Sequence, residues 1–313
     1  MELSQLRMVK AVAECGSIAL AAEQLHCVPS NITTRIKQLE SELGTALFTR
    51  AGRGLRISAA GQVFLGYSEQ ILALVDQAKR AVAPQAVPAG KLRIGAIESC
   101  ATGRLPPLLA EYHQRYPQVT LELVTGKSKQ LLDDVKHHRL DGAMVAGSIT
   151  QTKLSKTMLY NEQLVLIASP KLAPLAQLAD VHRHTVFMWP PGCPYRAALE
   201  NWVAEHGLEV SKIDYANWGS IIGCVSAGAG LALIPEGMLQ QFGACANLIT
   251  YRFPELAPMP NLFFWHSETG SHAARDAFAT LLAEHFPVAV AEPARLRPIA
   301  YRTKTPITAH NIA

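Results

Sequence analysis

Apolar residues in the first part of the chain recur at helical spacing with two short interruptions. Ile18, Ala21, Ala22 and Leu25 fall at i, i+3, i+4 and i+7; Ile32, Ile36, Leu39 and Leu43 make a second stripe. His26, Cys27 and Val28 form the turn between them. Ser17 stands where a hydroxyl can cap the first helix, and Ser30 is a candidate cap for the second. Pro29 suits a first helical turn, where its missing N–H costs nothing. Gly44 ends the second helix. The small pair Ala21-Ala22 lets two helices cross closely. Ser30, Asn31, Thr33, Thr34, Arg35 and Lys37 lie opposite the second stripe or along its borders. In LFTRAGRGLRIS, Leu47 to Ser58, arginines alternate with small and apolar residues across a predicted two-stranded ribbon with a glycine-rich tip. Ser58 then caps a long helix reaching about Ala83. Its stripe of Val63, Phe64, Tyr67, Ile71, Leu74, Val75 and Ala78 is too wide for so small a domain to cover. A second copy, or the chain's own C-terminal part, must bury it.

Beyond PQAVPAG, residues 84–90, which reads as a hinge, the period changes. KLRIGAI, VTLELVTG, DGAMVAG, NEQLVLIASP, TVFMWPP, KIDYANW, LALIPEGML and NLFFWHSET read as strands. Helical patterns separate most of them: one run over 99–117, then 128–140, 195–206 and 219–230, with a closing helix over 273–285. Repeated βαβ units imply a parallel sheet covered on both faces, with ligands binding beyond the carboxyl ends of the strands.

At 313 residues the chain has room for more than one domain and a sizeable core. It holds no apolar run long enough to cross a membrane. Its first residues, a helix with charges spread through it, lack the plan of a signal peptide. A cytoplasmic protein is expected. The net charge of +4 decides little, but its distribution does. From Arg35 to Arg56 five basic residues face two acidic ones. The tail, residues 291–313, sets Arg295, Arg297, Arg302 and Lys304 against Glu292 and shows no lasting period, so it reads as poorly ordered. None of the six cysteines forms a C-x-x-C pair, and no His/Cys cluster has zinc spacing. Neither metal nor cofactor is expected. Nor is catalysis: there is no P-loop, no G-x-G-x-x-G after a strand, no G-x-S-x-G and no H-E-x-x-H.

Two short helices with a polar, basic outer face on the second are the outline of a helix-turn-helix, and the arginine ribbon adds phosphate contacts beside it. Residues 1–66 resemble the N-terminal domain of LysR-type transcriptional regulators, through Ser17, Ala21-Ala22, Leu25-His26, Ile36, Gln38-Leu39-Glu40, Leu43-Gly44, Leu47-Phe48, Arg50 and Gly61. The run Val28 to Ile36 is similar to that of a putrescine-utilisation branch of the family. Pro29 and Thr34 depart from the residues the family commonly has there, a polar residue and an arginine. Family-like motifs continue at Gly103–Pro117, Leu140–Ala143 and Val225–Pro235.

The resemblance implies an α/β architecture in four parts. A winged helix-turn-helix occupies 1–58, and a linker helix with hinge 59–90. A two-subdomain effector domain like a periplasmic binding protein occupies 91–290, with subdomain I at 91–161 and 268–290 and subdomain II at 162–267; the tail follows. It implies a homo-oligomer, dimer or tetramer, that binds double-stranded operator DNA and a small-molecule effector, with RNA polymerase as a further partner of an activator. DNA contacts are expected at Pro29, Ser30, Asn31, Thr33, Thr34, Arg35, Lys37, Arg50 and Arg53.

Effector contacts are expected where four loops converge: Glu98, Ser99, Cys100 and Thr102; Gly126 and Ser128; Gly147 and Ser148 with Cys193 and Tyr195; and Trp218 with Ser220. Each Ser or Thr is also an ordinary helix cap. Glu98 is read as pairing with Lys127 or Arg196, or alternatively as facing a cationic ligand such as an amine. Cys100 and Cys193 bordering one cleft leave a thiol-based redox regulator of the same fold as the alternative reading, with an enzyme built on the α/β part behind it.

Overall fold

The computed structural model describes residues 1–51, 54–82, 87–147, 149, 153–172, 175, 178–242, 247–253, 256–267 and 272–286. Arg53, Ser148, residues 83–86 of the hinge and the tail lie outside them.

The N-terminal part is α1 (Leu3–Cys15), α2 (Ile18–Gln24), α3 (Pro29–Leu43), a hairpin of β1 (Phe48–Ala51) and β2 (Gly54–Ile57), and α4 (Ala59–Val82). Val9, Val12, Ala21, Ala22, Ile32, Leu39 and Leu47 are buried together, with Leu55 and Phe64 packed on them. Leu43, expected in the α3 stripe, is instead 39% exposed at the helix's last turn. Ser17 and Ser30 do not cap. Ser17 holds the N-cap position of α2 without a side-chain cap bond, and Val28 precedes Pro29 as the N-cap of α3. Ser58 does cap α4, taking a hydrogen bond from the Gly61 N–H at 2.9 Å and donating its own to the Ala46 carbonyl at 2.7 Å. Glu40 anchors the hairpin to α3 by accepting the Leu47 and Phe48 N–H groups at 2.7 and 3.2 Å.

Gly61 is where α4 meets the hairpin. A Cβ there would sit 2.1 Å from the Leu47 carbonyl oxygen, which is backbone and cannot step aside. Gly61→Ala is therefore expected to cost the N-terminal domain about 1–3 kcal/mol. All four tryptophans lie between 189 and 265, so fluorescence reports only the C-terminal part. The denaturant midpoint by circular dichroism at 222 nm should broaden downward while the fluorescence midpoint stays; equal midpoints in variant and parent would refute the close approach.

The C-terminal part holds two five-stranded sheets rather than one parallel sheet. In chain order it runs β3 (Gly90–Ala96), α5 (Glu98–Gly103), α6 (Leu105–Arg115), β4 (Val119–Thr125), α7 (Ser128–Lys136), β5 (Gly142–Ala146), β6 (Ser155–Glu162) and β7 (Leu164–Ala168). A 3-10 turn at Leu178–Arg183 leads to β8 (Thr185–Met188), α8 (Pro194–Glu205), β9 (Ser211–Asp214), α9 (Trp218–Ala227), β10 (Leu231–Pro235), α10 (Gly237–Phe242), β11 (Ile249–Tyr251), β12 (Met259–Trp265) and α11 (Ala273–His285).

The first sheet is ordered β4-β3-β5-β12-β6, the second β11-β7-β10-β8-β9. Strands β3, β4 and β5 pair in parallel, as do β8, β9 and β10, but β12 and β7 run antiparallel to their neighbours. Strands β5, β7 and β10 are buried at every position, as strands covered on both faces must be.

Three expectations are corrected here. The strand read as Asn161–Pro170 breaks at Gln163, so that β6 belongs to the first sheet and β7 to the second. Strand β12, expected in subdomain II, is hydrogen-bonded inside the first sheet. The long helix over 99–117 is two: Pro106 and Pro107 lack the N–H groups that would continue α5, and the chain kinks at Arg104, where φ is −124° and ψ −36°. The chain passes between the sheets at Gln163, whose carbonyl accepts the Glu236 N–H at 2.8 Å, and again between β11 and β12.

Candidate functional site

Helix α3 turns a polar face outward. Pro29, Ser30, Asn31, Thr34, Lys37 and Gln38 are exposed. Asn31, Thr34 and Lys37 make no side-chain hydrogen bond or ion pair among the described residues, so their polar groups are open to an incoming partner. Two other expected contacts are engaged internally. The Thr33 hydroxyl donates to the Pro29 carbonyl at 3.0 Å. Arg35 donates to Glu2 at 3.1 Å, and its carbonyl accepts from Gln5 Nε2 at 3.3 Å. The Arg35 charge thus ties α3 to the start of α1. Arg50 is exposed on β1. Gln38, absent from the expected set, stands one turn beyond Thr34 on the same face; its i+4 spacing was readable in the sequence.

The strand-end loops of the two sheets meet. The Ser99 hydroxyl, at the start of α5, donates to Tyr195 Oη on α8 at 3.2 Å. The Trp218 backbone N–H, at the start of α9, lies near the Glu98 carboxylate and favours its charged form. A Cβ on Gly147, whose φ is +104°, would lie 3.7 Å from Pro194 Cβ. Ser99, Cys100 and Tyr195 thus come together, as do Glu98 with Trp218 and Gly147 with the loop of Cys193. Trp189, at the end of β8, stacks on Trp218 with ring centroids 4.8 Å apart, and Tyr195 meets Trp218 edge-on at 6.4 Å. Asn217 caps α9 by accepting the Ser220 N–H at 2.9 Å. Ser220 itself lines an open groove of about 450 Å³ with Tyr215, Ala216, Asn217, Gly223 and Cys224. Among the described residues Thr102 makes no side-chain hydrogen bond across to the second sheet, and the Ser128 hydroxyl is buried without a hydrogen-bond partner.

Behind Ser99 lies a buried polar cluster. Cys100 Sγ contacts Tyr160 Oη and Asn261 Oδ1, each at 3.2 Å. Arg104 clamps Glu162 through two bonds of 3.0 and 2.6 Å, and the Gly237 N–H donates to the same carboxylate at 3.0 Å. The Arg104 guanidinium also sits 5.3 Å from the Tyr160 ring centroid. Tyr160, Glu162, Arg104, Asn261 and Trp189 were not picked out from the sequence; only Trp189, just past an apolar strand, carried a positional signal. Among the described residues no three His, Cys, Asp or Glu side chains group as a metal site, and no helix is long and apolar enough to cross a membrane.

Glu98 pairs with neither of its expected partners. Arg196 is taken by Glu200 at 3.0 Å and Asp214 at 2.6 Å, and donates to the Trp189 carbonyl. Lys127, the exposed N-cap of α7, is beyond ion-pair distance of it. Burial raises the Glu98 carboxyl above its usual range, with the Trp218 N–H opposing.

Residues 3–62 match the model of the bacterial regulatory helix-turn-helix proteins of the lysR family, and residues 85–287 that of the LysR substrate binding domain. The chain belongs to the LysR family. A GltR transcriptional regulator of Bacillus subtilis is 34% identical over 92% of this chain and 98% of its own, and the YusT regulator of the same organism 35% identical over 93% and 98%. Among solved structures, a full-length OxyR variant from Pseudomonas aeruginosa has the same fold, with a TM-score of 0.69 at 19% identity over 95% of this chain and 99% of that one. CbnR in complex with its target DNA gives 0.67 over 92% and 99%.

This LysR-type protein is a DNA-binding transcriptional regulator with a substrate-binding effector domain. Its family is one of regulators rather than enzymes. The thiol-based alternative finds no support in the state of Cys100. Burial pushes that thiol up to about 12, with the Tyr160 hydrogen bond opposing, and burial raises Cys193 as well. A reactive cysteine needs the opposite shift.

Proposed function

We propose that this regulator grips an operator through the open face of α3 and the β1–β2 wing of two paired copies, and that a small molecule held between its two sheets changes that grip. The observation that carries the reading is the set of side chains left open on α3, namely Asn31, Thr34 and Lys37, with Ser30 and Gln38 beside them. Ser and Thr hydroxyls and amides suit base edges, while Lys37, Arg50 and Arg53 suit phosphates. That CbnR, of like fold, is solved on its target DNA supports the reading. Arg35 contributes less than the sequence suggests, because reaching DNA requires it to leave Glu2. The end of the wing at Ile57 and the start of β3 at Gly90 support domain limits near 58 and 90. The protein acts by binding in the cytoplasm, without a catalytic step.

Fluorescence anisotropy on an operator fragment tests the DNA half. Thr34→Ala should cost about 1–3 kcal/mol and relax specificity at one position. Lys37→Ala should weaken binding to every sequence alike and flatten the log–log salt dependence by about 0.9. Arg35→Ala should do less than either. If Thr34→Ala and Lys37→Ala both leave affinity and slope unchanged, α3 does not read the operator.

For the effector half, the Ser99–Tyr195 contact and the nearness of Glu98 to Trp218 support a binding site at the loops that carry them, with Thr102, Gly126, Ser128, Gly147, Cys193 and Ser220 as further candidate contacts. A ligand there acts only through different affinity for two arrangements of the sheets, typically 1–3 kcal/mol of coupling.

A further inference from the structure

We infer that the molecule held between the two sheets is an organic cation, an alkylammonium whose charge meets the Glu98 carboxylate and whose hydrocarbon part lies against Trp189, the partly exposed ring of the cluster it forms with the buried Trp218 and Tyr195. The inference rests on the effector-cleft reading above and adds the chemical class of the ligand.

The charges of the site point one way. Glu98 is half-buried with the Trp218 N–H near its carboxylate, yet among the described residues no cationic side chain lies within ion-pair distance of it. A carboxylate withdrawn from water without a counter-ion is costly, and a bound cation removes that cost. Neutral groups elsewhere in the site offer nothing equivalent.

Two cationic groups that could receive an anion are already spent. Arg104 is committed to Glu162 through two hydrogen bonds, and Arg196 to Glu200 and Asp214. At the start of α9 the Trp218 N–H faces Glu98 and the Ser220 N–H is given to Asn217. A ligand carboxylate at that helix end would have to expel Glu98 and would then face it. Lys127, at the start of α7, makes no ion pair among the described residues, and its exposure leaves it solvated.

The aromatic groups supply the second observation. Trp189 stacks on Trp218 at 4.8 Å, Tyr195 adds its ring edge-on at 6.4 Å, and the Trp218 N–H lies near Glu98. Indole faces attract ammonium groups more strongly than other side-chain rings do, and quaternary and alkylated ammonium ligands are held by such clusters. A carboxylate set beside aromatic rings therefore matches both halves of an alkylammonium: charge for charge, and ring for methylene.

The experiment uses the full-length protein and three probes of equal length: n-butylamine, n-butyrate and 1-butanol. Calorimetry and the fluorescence of the tryptophans are followed together. The amine should bind saturably and shift the fluorescence, and the other two should not. Glu98→Gln keeps an oxygen acceptor for the Trp218 N–H and removes only the charge, so it should weaken amine binding about 10- to 100-fold. Trp189→Leu should weaken it as well, and an unfolding midpoint for each variant guards against loss of fold. If butyrate binds, shifts the fluorescence and loses affinity in a Ser99→Ala/Thr102→Val variant, the cleft reading stands and the cation is wrong. If the amine binds Glu98→Gln and Trp189→Leu as tightly as the parent, the site lies elsewhere and both fall. Failure of the amine to bind at all overturns the proposal.

Discussion

Replacing Arg104 by Met is expected to destabilise the C-terminal part by about 3–5 kcal/mol, a large share of what a domain has. The reason is the partner left behind. The Glu162 side chain is 3% exposed, and the guanidinium supplies two of its three hydrogen bonds, the third coming from the Gly237 N–H. The site leaves the charge no route to water. Glu162 ends β6 in the first sheet, Gly237 begins α10 after β10 in the second, and Arg104 kinks the chain between α5 and α6. One pair thus joins both sheets at the point where the chain crosses. A Cβ on Gly237 would lie 2.4 Å from Arg104 Nε, so this packing tolerates little rearrangement. Urea unfolding followed by tryptophan fluorescence gives the loss directly. Removing both charges, in Arg104→Met/Glu162→Gln, should restore most of it, because no uncompensated charge is then buried. A single variant within 0.5 kcal/mol of the parent would mean that the pair stabilises nothing.

The N-terminal half was legible because its signals are local. Ala21-Ala22, Pro29, Gly44 and the Ser58–Gly61 cap each act within a few residues, and the structure keeps all of them. What failed there was finer. Ser17 stands at the N-cap position but makes no cap bond, and Leu43 is half out in solvent at the last turn of α3, which a stripe read on an ideal helix does not foretell. In the C-terminal half the strands were readable from their apolar runs, but their partners were not. Nothing in NEQLVLIASP marks Gln163 as the crossing point, and nothing in NLFFWHSET says that it pairs with β5 and β6, from Ser155–Glu162 and Gly142–Ala146 far back in the chain. Period gives an element and its faces. Sheet order depends on long-range pairing that period does not encode.

The same limit applies to the site. Loops at strand ends could be named in advance, and Ser99, Tyr195, Glu98 and Trp218 do meet. The partners of the charged groups could not be named. Arg196 was a candidate for Glu98, yet it turns to Glu200, one helical turn ahead, and to Asp214 at the end of β9. Arg35 looked free for DNA because the sequence does not show that Glu2 lies beside it. In each case the side chain is the expected one and its charge is already answered from a distance in sequence. That distinction decides which groups remain available to a ligand, and it is why the cleft reads differently once folded.

Leu74→Glu is expected to convert the protein to monomers and to weaken operator binding by about 10²- to 10⁴-fold. Val63, Tyr67 and Leu74 are 63%, 62% and 46% exposed and lie on one face of α4, along about 16 Å of helix. The opposite side of α4 is accounted for: Phe64 packs into the N-terminal core and Ser68 is fully buried. An apolar face left open on so long a helix is best covered by the same face of a second copy, which closes a symmetric pair. Because Leu74 is exposed in the single chain, a glutamate there costs the monomer little, typically within 0.5 kcal/mol. In the pair the same glutamate would meet its symmetry mate or an apolar neighbour, with its charge buried. Operator affinity depends on the pair, since the second α3 binds at the effective concentration set by the first; losing that linkage removes the fold-change stated above. Light scattering gives the mass, anisotropy the affinity, and the fluorescence unfolding midpoint confirms an intact C-terminal part. A variant that keeps both dimer mass and operator affinity would place the contact between copies on another surface, and the open face of α4 would then need a different partner.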